Sequence, residues 1–281
     1  MPVALPVRRG FWQRAWRSRS LVLGALLTLT VLAVAVLAWF WTPHPPAQMD
    51  VLRKLQPPGA SHWLGTDVYG HDVASQLMVG AQSSILVGLI AVGIGLLGGV
   101  TLGLLAATCK GWVDELVMRL ADVAFAFPAL LLAILFTAVY GSGVGVSMLA
   151  IGMAGIPVFA RISRASAQVL WTREFVLAAR ACGKGRWRIT RDHILPNLAP
   201  LLLVQATVQF AIAILAEAAL SYLGLGTQYP TPSWGRMLSE AQSLMFQAPL
   251  LAVYPGVAIA LSVLGLNLLG DGLRDVLDPR G

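Results

Sequence analysis

Glu217 sits inside an otherwise apolar run, Leu198 to about Leu225. A carboxylate is expensive within a membrane span, so it is a functional candidate by default. Gln205 and Gln209 precede it on the same run. At about 100° per helical residue, Gln209 and Glu217 point about 80° apart, which allows one broad polar sector. Two readings of that sector stand side by side. It lines a path through the apolar layer and meets an amine or a metal complex, or Glu217 makes a structural hydrogen bond to a neighbouring helix. Asn267, in a later apolar run, reads as a helix–helix hydrogen bond.

The other reactive residue types do not assemble into a site. His44, His62, His71 and His193 are dispersed, with His62 and His71 expected in a solvated loop, and no metal site is expected. Cys109 and Cys182 have no zinc-binding spacing. Catalysis by paired carboxylates has nothing to work with, because the Asp of Gly270-Asp271-Gly272 has no second Asp within a span. The phosphate loop requires G-x-x-x-x-G-K-[ST]. At Gly183-Lys184 the first glycine is replaced by Ala178, and Gly185 follows the lysine. No catalytic residue is assigned, and the chain is not expected to be an enzyme or to hold a cofactor of its own.

Charge concentrates in one stretch, Glu174 to Asn197, which carries five Arg/Lys with Glu174, Asp192 and His193. It stands out because the 281-residue chain is 57% hydrophobic and only 12% charged, against roughly 45–50% and 25% in soluble domains. Mean hydropathy is +0.73. Such a composition predicts an all-α protein with several membrane spans.

The elements that must position these residues follow from the apolar runs. Residues 1–20 are a basic N-terminus and 21–41 the first span, too long for the apolar core of a signal peptide. Residues 42–80, rich in proline, form an outside segment. The further spans are expected at 84–107, 119–140 (kinked at Pro128), 144–163, 198–225 and 250–270. An outside loop covers 226–249, its middle an amphipathic helix, and a cytoplasmic tail covers 271–281. In that tail Asp271, Arg274 and Asp275 are expected to cap the last helix. Gly95, Gly99 and Gly103 make a small-xxx-small stripe for close helix packing.

Six spans place both termini on one side. Seventeen of the twenty Lys/Arg then fall inside, leaving only Arg53, Lys54 and Arg236 outside. Lys and Arg accumulate in cytoplasmic loops, so the net charge of +7 needs no nucleic acid. Residues 166–196 become the largest cytoplasmic loop. It reads as a helix from Ala165 to Gly183, a glycine break at Gly183 and Gly185, a second piece from Arg186 to His193, and a stop at Pro196. Phe175, Ala178, Ala179 and Cys182 recur at helical spacing, a narrow face suited to docking a protein or, equally, a juxtamembrane segment touching anionic lipid.

Ala178-Ala179, Gly183 and Leu195-Pro196 stand at the spacing of the EAA loop, and the stretch resembles that loop of ATP-binding cassette importer permeases. Leu177 replaces the family's Glu, and His193 its Ile. "LGTDVYGHD" (Leu64–Asp72) is similar to the LGTDxxGRD segment of the dipeptide, oligopeptide and nickel branch, with His71 in place of Arg. "GWVDELVMRLADVAFAFP", "EAALSYLGLG", "PSWGRML" and "NLLGDGLRDVLDPR" also resemble that branch, and together the motifs cover most of residues 61–281.

The resemblance implies the type I importer fold, with a permease core over 81–270, in the bacterial inner membrane. It implies a C-type subunit paired with a B-type permease, one or two cytoplasmic ATPases that bind ATP and Mg, and an extracytoplasmic substrate-binding protein. Glu174, Ala178, Ala179, Arg180, Gly183 and Lys184 would dock on the ATPase, and the 174–196 loop would couple it to the spans. Di- or oligopeptide is the implied cargo, nickel or a metal chelate the alternative. A secondary transporter or channel is the rival of another class; it calls for intramembrane charge pairs or inverted repeats, neither of which is evident.

Overall fold

A backbone that leaves water must satisfy its N–H and C=O groups within itself, so apolar runs of this length become helices. In the computed structural model, which describes residues 11–277, the helices are α1 (Phe11–Arg17), α2 (Arg19–Phe40), α3 (Val73–Cys109), α4 (Trp112–Ala126), α5 (Ala129–Tyr140), α6 (Val144–Leu170), α7 (Glu174–Ala181), α8 (Arg186–Ile189), α9 (Leu195–Tyr222), α10 (Trp234–Ala241) and α11 (Leu250–Leu277). No strand occurs among the described residues beyond one isolated bridge, Thr66 to Asp72.

Among the described residues, five helical segments are each long and apolar enough to cross a membrane: α2, α3, α6, the run Arg186–Tyr222 ending in α9, and α11. The stretch expected as a kinked span at 119–140 is an elbow. α4 and α5 pass the same test only as a pair, bent by 85°. Proline disfavours helical geometry in the residue before it. Phe127 is accordingly extended, and Pro128 starts α5 rather than bending a continuous helix.

Three other boundaries differ from expectation. α3 starts at Val73, inside the segment assigned to the outside, because Asp72 caps it: its Oδ2 accepts from the Ser75 amide at 2.8 Å. The helix expected from Ala165 to Gly183 is two helices, with a turn at 171–173 between α6 and α7. α11 runs through Asp271, Arg274 and Asp275 to Leu277, so these residues lie within the helix and do not cap it.

Glycines set the closest approaches. A Cβ on Gly99 would lie 2.5 Å from the Ile156 carbonyl and from Phe159 Cβ, and one on Gly103 would lie 2.4 Å from the Ala160 carbonyl. The Gly95–Gly99–Gly103 stripe therefore brings the backbone of α3 against that of α6. A second contact of this kind joins the first and last spans: a Cβ on Gly24 would lie 2.2 Å from the Leu269 amide, and one on Gly272 would lie 2.4 Å from Leu21 Cα. At the end away from the basic loops, α10 lies on α9, with Gly235 against the Ala218 carbonyl and Trp234 Nε1 donating to the Leu77 carbonyl at 3.0 Å.

Candidate functional site

At the basic end, α7 and α8 form a short hairpin between α6 and α9. Glu174 occupies the first turn of α7, where the helix dipole favours an acid. The helix ends in a Schellman motif: the Gly183 amide donates to Arg180 O at 2.9 Å and the Lys184 amide to Ala179 O at 3.1 Å. Gly183 has φ +77, and a Cβ there would meet nothing within 4 Å. Only the left-handed backbone requires glycine at this position; there is no crowding.

The two alanines face opposite ways. Ala178 is exposed beside Leu177, which is 51% exposed, and near Phe175. Ala179 is 8% exposed and packs with Trp171, Val176, Ile189 and Ile194 in the chain's own core. Its assignment to the docking surface is therefore corrected: Val176 and Ala179, three apart, form the inward stripe that holds α7 in place. Arg180 lies over the Trp171 ring, 4.8 Å from its centroid. Lys184 folds back, with Nζ 2.9 Å from His193 Nε2 and 3.9 Å from Asp192 Oδ2. Glu174, Leu177, Ala178, Gly183 and Trp187 thus remain exposed on the hairpin.

The hairpin is tied to the spans by groups that sequence reading missed. Residues 190–194 form a π-helical turn leading into α9. Within that turn, buried Thr190 Oγ1 meets buried Thr108 Oγ1, at the end of α3, at 2.8 Å. Arg164 on α6 grips Asp114 on α4 through two donors, and Arg161 pairs with Asp122. Two acids in the 108–122 turn, opposite two arginines in the following basic segment, were the available signal for these pairs.

Within the spans a cavity of about 390 Å³ opens at the α4–α5 elbow, walled by α3, α5, α6 and α9. Its lining is almost wholly apolar, including Phe125, Phe127, Pro128 and Ile212, with Gln209 supplying one amide. Gln205 is half-buried and does not line it. Nor does Glu217, and here the shared polar sector is corrected. Glu217 is 1% exposed and accepts hydrogen bonds from Ser221 Oγ (2.7 Å), Thr227 Oγ1 (3.2 Å) and Ser84 Oγ (3.4 Å). Those partners come from α9 itself, the loop after it and α3. The carboxylate joins three segments, and burial of the group is offset by its hydrogen bonds.

His62 and His71 are not in a solvated loop. His71 and His62 are buried; His71 Nδ1 lies 2.7 Å from Asp67 Oδ2 and His62 Nδ1 2.9 Å from Asp72 Oδ1. Asp67 also accepts from the amides of Tyr69 and His71, both at 2.8 Å. The two acids of "LGTDVYGHD" thus shape the turn that launches α3.

Comparison with known proteins agrees with this architecture. Residues 99–280 match the family described as binding-protein-dependent transport system inner membrane component. The chain is 41% identical over 273 residues to a glutathione transport system permease protein, GsiD, of Pectobacterium atrosepticum, covering 97% of this chain and 91% of that protein. It is 40% identical to the dipeptide transport system permease protein DppC of Alkalihalophilus pseudofirmus, covering 96% and 90%. It is 43% identical to GsiD of Escherichia coli O6:K15:H31, covering 96% and 89%. Among solved structures, inward-facing MetNI methionine ABC transporter superposes with a TM-score of 0.60 at 16% identity, covering 72% of this chain and 97% of that one. At that identity the likeness speaks for the fold.

Proposed function

The chain belongs to the family of binding-protein-dependent transport system inner membrane components, and from that premise we propose how it works and what it carries. As a member it is the non-catalytic, multi-span permease of an importer whose ATP hydrolysis is done by separate subunits. We assign it small peptides, with dipeptides and glutathione as the first to test, since its relatives bear those names; they do not favour nickel. The apolar cavity carrying Gln209 forms half of the path, and a second, B-type permease supplies the other half. A binding protein outside delivers the peptide, which leaves selection to that protein. ATP and Mg are held by one or two partner ATPases.

The observation that carries the coupling role is the two-sided hairpin. Val176 and Ala179 lock α7 into the core, while Leu177 and Ala178 on α7 and Trp187 on α8 stay exposed. An exposed apolar face on a short helix, braced from behind, suits a groove on a partner. The positive-inside rule supports a cytoplasmic side for it, the side on which partner ATPases would stand. Glu174, Arg180, Gly183 and Lys184 serve this face: Gly183 by its turn, and the charged residues at its rim.

The test uses cells lacking this chain and complemented with it. Uptake of labelled dipeptide or glutathione should return, and exposed Cys182, next to the Schellman turn, should cross-link to the ATPase. Restored uptake without a Cys182 cross-link would move the docking face elsewhere. A cross-link without uptake of either peptide would remove the substrate assignment.

A further inference from the structure

At the end of the molecule opposite the basic loops, three metal-ligating side chains from separate stretches converge. His44 follows the end of α2, His62 lies in the 41–72 segment, and Asp72 caps α3. One ligand atom from each lies within 4.8 Å of the others. Asp72 Oδ1 is 2.9 Å from His62 Nδ1 and 3.6 Å from His44 Nδ1. The two imidazole rings lie 4.5 Å apart by their centroids, tilted by 34°.

A tetrahedral cation with bonds of about 2.0–2.1 Å holds its donors about 3.3 Å apart. The two Asp72 distances bracket that value, so small side-chain shifts close the shell. His44 Nδ1 is buried and has no hydrogen-bond partner among the described residues, although the ring's side chain is 40% exposed overall. A buried ring nitrogen without a partner is costly unless something occupies it. An ordinary hydrogen-bonded knot accounts for His62 and Asp72, and leaves His44 unexplained.

The surroundings behave like an outer coordination shell. Asp72 Oδ2 accepts from the Ser75 amide at 2.8 Å and from Ser75 Oγ at 2.7 Å, which fixes the carboxylate and leaves Oδ1 for the cluster. The same Ser75 Oγ accepts from the His44 amide at 3.0 Å, and Thr42 Oγ1 donates to the His44 carbonyl at 2.9 Å. One serine therefore orients two of the three ligands, the kind of support that tunes metal sites.

We propose that His44, His62 and Asp72 bind one divalent transition cation of the Zn2+ class. Two imidazoles and a carboxylate form a borderline donor set suited to Zn2+, not to Ca2+ or Mg2+, which take oxygen. Three protein ligands leave the fourth position to water or to an outside ligand. To bind through Nδ1, the neutral His62 ring carries its proton on Nε2 and gives up its hydrogen bond with Asp72 Oδ1. The cation fastens the end of the first span to the start of α3.

The test uses the full chain purified in detergent together with its partner subunits. Zn2+ is titrated against a chromophoric chelator, and Co2+ serves as a spectroscopic probe. The complex should take one Zn2+ through this chain, with a tetrahedral Co2+ spectrum and a raised melting temperature. His44→Ala and His62→Ala should each weaken binding by at least the 10–100-fold typical of losing an outer-shell partner. His71→Ala, which removes the His paired with Asp67 instead, should bind as the parent does. His44 is partly exposed, so its variant is expected to fold even if the His62 variant does not. A parent complex that leaves all Zn2+ on the chelator, or a His44→Ala protein that binds it undiminished, overturns the site.

Discussion

Thr108 and Thr190 face each other across 2.8 Å with both hydroxyls buried, joining the end of α3 to the turn that carries the hairpin into α9. Thr190 Oγ1 also reaches the Arg186 carbonyl at 3.0 Å, so this one hydroxyl links α3 to the hairpin's own backbone. Thr190→Val strands the Thr108 hydroxyl and should cost about 1–3 kcal/mol; Thr108→Val should cost less, because Thr190 keeps the Arg186 carbonyl, and the double variant should be more stable than Thr190→Val alone. Thermal unfolding of the four proteins measures the coupling. If the link also carries movement, peptide-stimulated ATPase activity of the double variant should fall although part of its stability returns.

Gly183 separates backbone from crowding. Its φ of +77 disfavours any residue with a Cβ, yet space around it is open. Gly183→Ala should cost about 1–2 kcal/mol, the usual penalty of a left-handed residue, and Gly183→Asn should cost less because Asn tolerates that region. Uptake and melting temperature should follow the order Gly, Asn, Ala. If the larger Asn does more harm to uptake than Ala, the partner's surface is crowding the turn.

Ala178 and Ala179 should respond differently to the same change. Ala178→Arg leaves the core intact and should reduce ATPase co-purification. Ala179→Arg puts a charge among Trp171, Val176 and Ile189; a buried unpaired charge of this kind belongs to the strongly destabilising class of substitutions. Less folded permease should be recovered in detergent. Equal recovery of both proteins would contradict the inward orientation of Ala179.

Glu217 accepts from three hydroxyls. Glu217→Leu strands them and should lower stability by several kcal/mol, at about 1–3 kcal/mol for each buried group left unpaired. Glu217→Gln keeps an acceptor and should fold with a smaller loss, leaving the KM for peptide unchanged. An altered KM in a Gln variant of normal stability would put this side chain on the path after all.

Much of the fold is legible in the sequence because lipid demands long apolar runs and Lys/Arg mark one side. What hydropathy cannot give is where a helix starts. α3 begins at Val73 because Asp72 caps it, although Ser75 and Gln76 read as polar loop. The helical wheel put Gln209 and Glu217 in one broad sector, but angle says nothing of neighbours: Gln209 meets the cavity and Glu217 meets Ser84. Within the hairpin, the Gly183 stop was readable from glycine chemistry. The inward turn of Ala179 was not, since small residues suit a partner's groove and a tight core alike. His44, His62 and Asp72 belong together only through the path of the 41–72 segment, which carries no periodicity.

The contact of Gly24 with the backbone of Leu269, and of Gly272 with Leu21, has a consequence for how the molecule is made. The first span emerges from the ribosome long before its closest neighbour exists. Until α11 is inserted, the notch at Gly24 faces lipid or some other chain. Completion of this bundle is therefore a late event in synthesis, controlled by the last span, and a chain released before α11 is made keeps the first span's contact with α3 but lacks its contact with Leu269.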